Sequence, residues 1–162
     1  MPKILKDVER KILDASMRVI ENEGIEKLNI RYISKIAGIG LGTTYNYFKN
    51  KDEIILRCIE IYWKKAITDL KNRNFNNNED FLDILYSKIY KYQFLFKDFW
   101  KNHELLKIPQ KRFHMINELK KIILEKSTLD NPEFIIQNLM ATAVWDFIKY
   151  EEVKKILLER MG

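Results

Sequence analysis

A short segment near residue 45 is rich in hydrogen-bonding side chains that are either small or planar. Between residues 41 and 48 these side chains are Thr43, Thr44, Asn46 and Tyr47. Hydroxyl and amide groups of this kind bond to the phosphate oxygens and base edges of nucleic acids. The segment is therefore a candidate surface for DNA recognition.

The residues before this segment predict a support that would hold it in place. Apolar residues recur at helical spacing from Ile30 to Ala37, and Asn29 precedes them as a helix N-cap. Gly38 follows the last apolar pair, and glycine adopts the positive φ that lets a chain reverse direction. The pattern predicts two short helices around a tight turn, with the second over residues 41 to 48.

A third helix is predicted to begin at Lys51. Asn50 is followed three residues later by Glu53, which is the spacing of a capping box. Lys51 then lies in the first turn, where its ammonium group and the free backbone amides of the helix start can hold a phosphate.

Basic residues are concentrated around the predicted turn. Residues 27 to 51 contain no Asp or Glu, and their basic residues are Lys27, Arg31, Lys35, Lys49 and Lys51. Neutralisation of phosphate supplies most of the non-specific affinity of proteins for DNA. An acid-free basic segment around a helix-turn-helix therefore indicates binding to DNA, with Arg31 reaching the adjacent backbone or groove.

Residues 37 to 54, AGIGLGTTYNYFKNKDEI, resemble the signature of the tetracycline-repressor (TetR) family. The matching positions are Ala37, Gly38, Gly42, Thr43, Tyr45, Tyr47, Phe48, Lys51, Asp52 and Glu53. The resemblance covers residues 4 to 65. It implies a three-helix DNA-binding head, a cytoplasmic homodimer and a ligand-responsive helical body.

Two residues depart from the family pattern. Gly40 occupies the place where the family commonly has a capping Ser or Thr, which weakens the cap by about 1 kcal/mol at most. Ser34 replaces the usual Ala on the preceding helix, against which the recognition helix would pack. The exact start of the recognition helix is therefore left open.

The expected contacts to DNA follow from side-chain type and from the resemblance. Tyr45, Tyr47 and Lys51 are expected on phosphates, while Thr43 and Thr44 are expected closest to base edges. The resemblance further implies that a glycine in the recognition helix lets the backbone approach DNA. The full predicted set is Asn29, Arg31, Gly42, Thr43, Thr44, Tyr45, Tyr47 and Lys51.

Composition sets the broad class of the molecule. The chain has 162 residues, 46% of them hydrophobic, so it can bury a substantial core in one or two small domains. The net charge of +6 favours a polyanionic partner, although a biased genome would give the same lysine-rich composition. Cys58 is the only cysteine, which favours a reducing cytosol and the role of a small buried hydrophobe. We find no signal peptide or membrane span and expect a soluble, cytoplasmic protein.

The apolar patterns predict helices throughout, so the expected fold is all-α. We place a helix-turn-helix DNA-binding domain at residues 1–50 and a helical ligand-binding and dimerisation domain at 51–162, connected by the helix that begins at residue 51. Further helices are predicted at 3–22, 51–73, 79–100, 110–126, 133–150 and 153–161, with an asparagine-rich break at 72–78. The helix at 79–100 has apolar residues on nearly every side, so we expect it to be enclosed.

The segment at 133–150 also has too many apolar positions for one face. We expect one face to meet the body and the other, including Ala141 and Ala143, to meet a second subunit. In the family that the chain resembles, the last two helices pair as a four-helix dimer bundle.

The density of aromatic residues between positions 56 and 126 predicts a pocket for a small apolar or aromatic effector. The candidate ligand-binding residues are Trp63, Tyr92, Phe96, Trp100, His103 and Phe113. The alternative is that Trp100 is a core residue and His103 is a surface residue. No spacing of histidines and cysteine resembles a metal site, and we expect no metal and no cofactor.

These observations predict a ligand-responsive repressor that binds a palindromic operator as a homodimer. The chain offers no recognisable acid, base and nucleophile grouping, so we do not expect an enzyme. The alternative hypotheses are a helical-bundle carrier or enzyme, and an interaction protein without DNA binding.

Overall fold

The computed structural model describes residues 3–91, 93, 109–145 and 147–161, with side chains for residues 7–91, 93, 114–145 and 147–160. Within these ranges the chain forms eight α-helices and no strand, so the predicted all-α fold is confirmed. The helices are α1 (Lys3–Glu23), α2 (Ile30–Ala37), α3 (Leu41–Tyr47), α4 (Lys51–Asn72), α5 (Asn78–Lys91), α6 (Pro109–Lys126), α7 (Pro132–Val144) and α8 (Tyr150–Met161). None of these described helices has both the length and the apolar character needed to cross a membrane.

The chain forms two compact units, Met1–Tyr62 and Trp63–Gly162, which we call the head and the body. Helix α4 contributes residues to both units. The predicted division of function between residues 1–50 and 51–162 stays a prediction.

In the head, α1 packs on α2, and α2 packs on α3. Gly24 directly follows the last residue of α1. Its φ is +91°, a conformation that residues with a Cβ rarely adopt. The core is apolar and includes Ile12, Ala15 and Ile33, each fully buried. Cys58 is also fully buried, and this burial, followed by the charge of nearby Asp14, raises the pKa of its thiol to about 12. The prediction of a small buried hydrophobe at this position is confirmed.

In the body, α7 packs on α5, α6 and α8, and α5 also packs on α8. One face of α5 is fully buried, through Phe81, Leu82, Leu85 and Ile89. Tyr90 on the opposite side is 50% exposed, so the described part of the predicted 79–100 helix is not enclosed on all sides. The remainder of that prediction, residues 94–100, lies outside the described residues.

The predicted helix at 133–150 is two elements in the structure. Asn131 caps α7 through its side chain and Pro132 occupies its first turn, where proline's missing amide proton costs no hydrogen bond. Helix α7 ends at Val144, Trp145 is extended, and α8 begins at Tyr150. Ala143 is 2% exposed because it packs within its own chain, so its assignment to a subunit interface is wrong.

A buried lysine ties α8 to α5. Lys154 Nζ lies 3.0 Å from Glu151, 3.1 Å from Asp83 and 3.2 Å from Glu79. The Tyr150 hydroxyl donates to the same Asp83 carboxylate at 2.7 Å. Hydrogen bonding to Glu151 and then to the other carboxylates raises the pKa of Lys154 above its usual range. The lysine is therefore held charged at the contact between the two helices.

Candidate nucleic-acid interface

Local capping fixes both ends of α2. The Asn29 side chain accepts a hydrogen bond from the Tyr32 backbone amide at 2.9 Å, which confirms the predicted N-cap. Gly38 follows α2 with φ +67°, and the amide of Ile39 donates to the Ser34 carbonyl at 3.0 Å. Such bonds satisfy backbone carbonyl groups in the last turn of α2, and the chain then reverses direction and enters α3.

The candidate recognition helix is α3, and it begins at Leu41. Gly40 is its N-cap and supplies no side-chain hydrogen bond, whereas the Gly40 carbonyl accepts from the Thr44 amide at 2.9 Å. The helix thus starts without the family's usual hydroxyl cap. Its start, which the sequence left open, is marked by this first backbone hydrogen bond.

Thr44 lies on the inner side of α3 and is fully buried. Its Oγ1 lies 2.9 Å from Ser34 Oγ on α2. Whichever hydroxyl donates to the other, the remaining proton has a backbone carbonyl to bond to, since Ser34 lies 2.7 Å from the Ile30 carbonyl and Thr44 lies 3.2 Å from the Gly40 carbonyl. The prediction that Thr44 lies close to base edges is therefore wrong, because this side chain holds α3 against α2.

The outer side of α3 is exposed. Phe48, 6% exposed, and Thr44 together define the inner side, and Tyr47 is half-buried beside them. The exposed residues are Leu41, Gly42, Thr43, Tyr45 and Asn46, with Tyr45 51% exposed. Asn46 was not in the predicted set, although counting about 100° per residue from buried Phe48 would have placed it outward.

The start of α4 has the predicted capping box with one variation. The Asn50 side chain accepts from the Glu53 amide at 3.0 Å. In a standard capping box the Glu53 carboxylate would accept from the amide of the cap residue, Asn50. Here it accepts instead from the amide of the preceding residue, Lys49, at 2.8 Å. Lys51 lies exposed in the first turn of α4, as expected.

The basic residues around α3 are exposed and uncompensated. Within the part of the chain that the structure describes, no ion pair involves these side chains, which are Lys27, Arg31, Lys35, Lys49 and Lys51. On α1, by contrast, Arg10 lies 2.7 Å from Asp7. The surface that carries α3 is therefore positive without local neutralisation, which suits a polyanion.

The family model for bacterial regulatory proteins of the tetR family matches residues 12–58, the stretch that contains α2, α3 and their supports. Residues 12–58 therefore form a helix-turn-helix segment of the tetR family. The resemblance seen in the signature residues is thereby confirmed. The helix-turn-helix head followed by a helical body is the fold of this family's solved structures.

The curated relatives of this chain are HTH-type transcriptional regulators. "Uncharacterized HTH-type transcriptional regulator YvdT" of Bacillus subtilis is 35% identical over 85 residues, 52% of this chain and 43% of that protein. An HTH-type transcriptional regulator of Haemophilus influenzae is 27% identical over 156 residues, 96% of this chain and 73% of that protein. The chain thus spans less than half the length of the first of these relatives.

A solved structure extends the likeness to the fold of the body. The multidrug binding protein EbrR, in complex with imidazole, has a TM-score of 0.66 and covers 95% of this chain and 94% of its own. Its sequence identity is 14%, so the likeness concerns the fold alone.

The predicted ligand-binding residues of the body fall mostly outside the described side chains. Trp63 is described and is 4% exposed. The others, which lie outside the described side chains, are Tyr92, Phe96, Trp100, His103 and Phe113. Their assignment stays a prediction.

The Thr44→Val substitution should leave the sequence preference of the tetR-family head unchanged. Valine keeps the volume of threonine but removes the hydroxyl bond to Ser34, so we expect a loss of about 1 kcal/mol in the free energy of unfolding. Urea denaturation and selection of sites from random duplexes would measure the two effects. Thr43→Val, the same change on the exposed neighbour, is the control and should barely affect stability. A changed sequence preference in Thr44→Val without loss of stability would contradict this assignment.

Proposed function

We propose that the chain is a DNA-binding transcriptional regulator whose α3 lies in the major groove of its operator. The observation that carries the proposal is the exposed face of α3, surrounded by basic side chains that have no acidic partner among the described residues. Basic side chains free of intramolecular pairs can each neutralise a phosphate. The membership of the family and the names of its relatives agree with this function.

The proposed contacts divide into positioning and reading. Tyr45, Tyr47 and Lys51 bond to phosphates and set the position of α3, while Thr43 faces a base edge. Arg31 reaches the neighbouring backbone or groove. Asn29 and Gly42 do not read bases through their side chains. The side-chain amide of Asn29 is occupied in capping α2, and Gly42 has no side chain.

The operator is proposed to be palindromic and the protein a homodimer, because a helix as short as α3 covers only a few base pairs and two-fold symmetry doubles the readout. Exposed aromatic residues at the α7–α8 junction support a partner surface. Trp145 is 55% exposed and Phe147 is 79% exposed, with ring centroids 5.9 Å apart. Light scattering should give the mass of a dimer at micromolar concentration, and Phe147→Lys should shift it toward a monomer. A stable wild-type monomer would exclude this part of the proposal.

The regulator is proposed to be a repressor that a small apolar or aromatic molecule releases from DNA. Support comes from the buried Trp63 and from EbrR, a multidrug binding protein of the same fold that was solved with imidazole. A ligand that prefers the non-binding conformation a hundredfold would supply about 2.7 kcal/mol per site. The site is proposed among Trp63, Tyr92, Phe96, Trp100, His103 and Phe113.

Selection of duplexes from fragmented genomic DNA, followed by gel-shift titration, tests the proposed function directly. We expect enrichment of a palindromic site and binding that weakens steeply with salt. Compounds can then be screened for release of that site. If the wild-type chain enriches no fragment and shifts no duplex, DNA binding is excluded.

Lys51→Ala should weaken binding to all DNA sequences to a similar extent. A phosphate contact contributes about one unit to the slope of log affinity against log salt, so the slope should flatten by about one unit per half-site. Fluorescence anisotropy at several salt concentrations measures this slope. Lys11→Ala is the control, because Lys11 already lies 3.2 Å from Asp7 on α1. An unchanged slope in Lys51→Ala would remove Lys51 from the phosphate contacts.

A further inference from the structure

We infer that Asn46, in addition to Thr43, reads a base from α3, and that the base it selects is adenine in the major groove. This inference rests on the proposed DNA-binding function. Three observations carry it, namely the direction of Asn46, the open space beside it and the unused hydrogen-bonding capacity of its amide.

The direction of Asn46 follows from the buried side of α3. Thr44 is fully buried and bonded to Ser34, so its side chain defines the inward direction. At about 100° per residue, Gly42 and Asn46 both lie within roughly 20° of the opposite direction. Residues four apart share one face of a helix, so these two residues form the outermost ridge of α3.

The space beside Asn46 is left by Gly42. A Cβ added at Gly42 would meet no heavy atom within 4 Å, and its φ is not in the left-handed region. Neither packing nor backbone conformation therefore requires glycine at this position. The absence of a side chain removes the neighbour that would otherwise keep DNA away from the amide of Asn46.

The amide of Asn46 is also free to act, unlike those of two other asparagines in the head. The Asn29 and Asn50 side chains accept backbone hydrogen bonds at the starts of α2 and α4. Among the described residues, Asn46 has no hydrogen bond to its side chain and is exposed. Asparagine is a weaker helix former than alanine, so its place in the middle of α3 does not serve helix stability.

The chemistry of a carboxamide points to adenine. Adenine presents the N7 acceptor beside the N6 amino donor in the major groove, whereas guanine presents two acceptors. The amide of Asn46 offers one donor and one acceptor at matching spacing and can bond to both atoms. Thr43 and Tyr45 flank this ridge on either side, so their hydroxyls lie toward the neighbouring base or backbone.

The test compares the base preferences of wild-type protein, Asn46→Ala and Asn46→Gln, each selected against a pool of random duplexes. Wild type should enrich an adenine at one fixed position of each half-site. Asn46→Ala should lose the preference at that position and keep the others, and Asn46→Gln should keep an adenine preference because glutamine carries the same amide. Asn22→Ala, the same change on the exposed part of α1, is the matched control and should behave as wild type.

A second measurement uses 7-deazaadenine, which lacks the N7 acceptor, at the selected position of one half-site. The substitution should weaken wild-type binding roughly fivefold or more and leave the affinity of Asn46→Ala unchanged. Circular dichroism establishes that each variant is folded. Identical selected sequences for wild type and Asn46→Ala, or equal weakening of both by 7-deazaadenine, would overturn the role of Asn46 alone. If wild type selects no duplex at all, the proposed function falls and this inference falls with it.

Discussion

Gly42→Leu should nearly abolish operator binding while leaving the head folded and slightly more stable. A side chain at this position meets open space in the free protein, and leucine is a better helix former than glycine by about 0.8 kcal/mol. On DNA the same side chain lies on the outermost ridge of α3. A misfit of about 1–2 kcal/mol in each half-site, comparable with a mismatched base pair, would lower the affinity of a dimer roughly thirty- to thousandfold.

Urea denaturation and fluorescence anisotropy with an operator duplex would measure the two opposing effects of Gly42→Leu. Gly42→Ala provides a graded comparison, since a single methyl group should gain stability and lose less affinity. Full operator affinity in Gly42→Leu would mean that DNA does not approach this face of α3.

Phe81→Ala should cost about 3–5 kcal/mol in the free energy of unfolding, the usual range for a buried phenylalanine. Phe81 is fully buried on α5, and its ring meets Phe75 edge-on with centroids 4.9 Å apart. The substitution removes these contacts and leaves a cavity that the helices can close only in part. A loss of this size is a large fraction of the stability of an ordinary domain.

Tyr90→Ala is the matched control for Phe81→Ala, because Tyr90 is an aromatic residue of the same helix but is half exposed. Its replacement should change the free energy of unfolding by less than about 1 kcal/mol. Both values come from urea denaturation followed by circular dichroism. Equal effects of the two substitutions would show that α5 does not bury the face described here.

The features of the fold that were predicted correctly from the sequence depend on interactions between residues that are close together in the chain. The caps at Asn29 and Asn50 each involve a side chain and an amide three residues later. The reversal at Gly38 depends on one residue's access to positive φ. Such signals do not depend on the rest of the fold, so they can be read directly from the chain.

The candidate site was predicted less completely because both of its sides carry polar residues. Thr44 and Asn46 are both hydrogen-bonding residues, and residue type alone does not say which of them is buried. The buried one is decided by Ser34, ten residues earlier on another helix. Because the Ser34 hydroxyl on α2 bonds to Thr44, a threonine occupies a buried position of α3 where an apolar side chain would otherwise be expected. The inner face of α3 therefore cannot be recognised by its hydrophobicity.

Two features of the body could not be predicted from the periodicity of the sequence. The break between α7 and α8 has no glycine or proline, so nothing local marks it. Lys154 would be expected on the surface, yet it is 8% exposed because Asp83, 71 residues earlier, helps to neutralise it. Burial of a charge depends on partners that come together only in the folded chain.

The reactivity of Cys58, the only cysteine in the sequence, can be used to measure how often the head opens. Thiolate is the form that reacts with maleimides, and a fully buried thiol with a pKa of about 12 supplies almost none of it at neutral pH. Labelling therefore proceeds only through transient opening of Met1–Tyr62, so its rate in the unaltered protein measures the opening equilibrium. Any duplex that binds only the closed head must slow this labelling, and the degree of protection yields its affinity without a dye on either molecule.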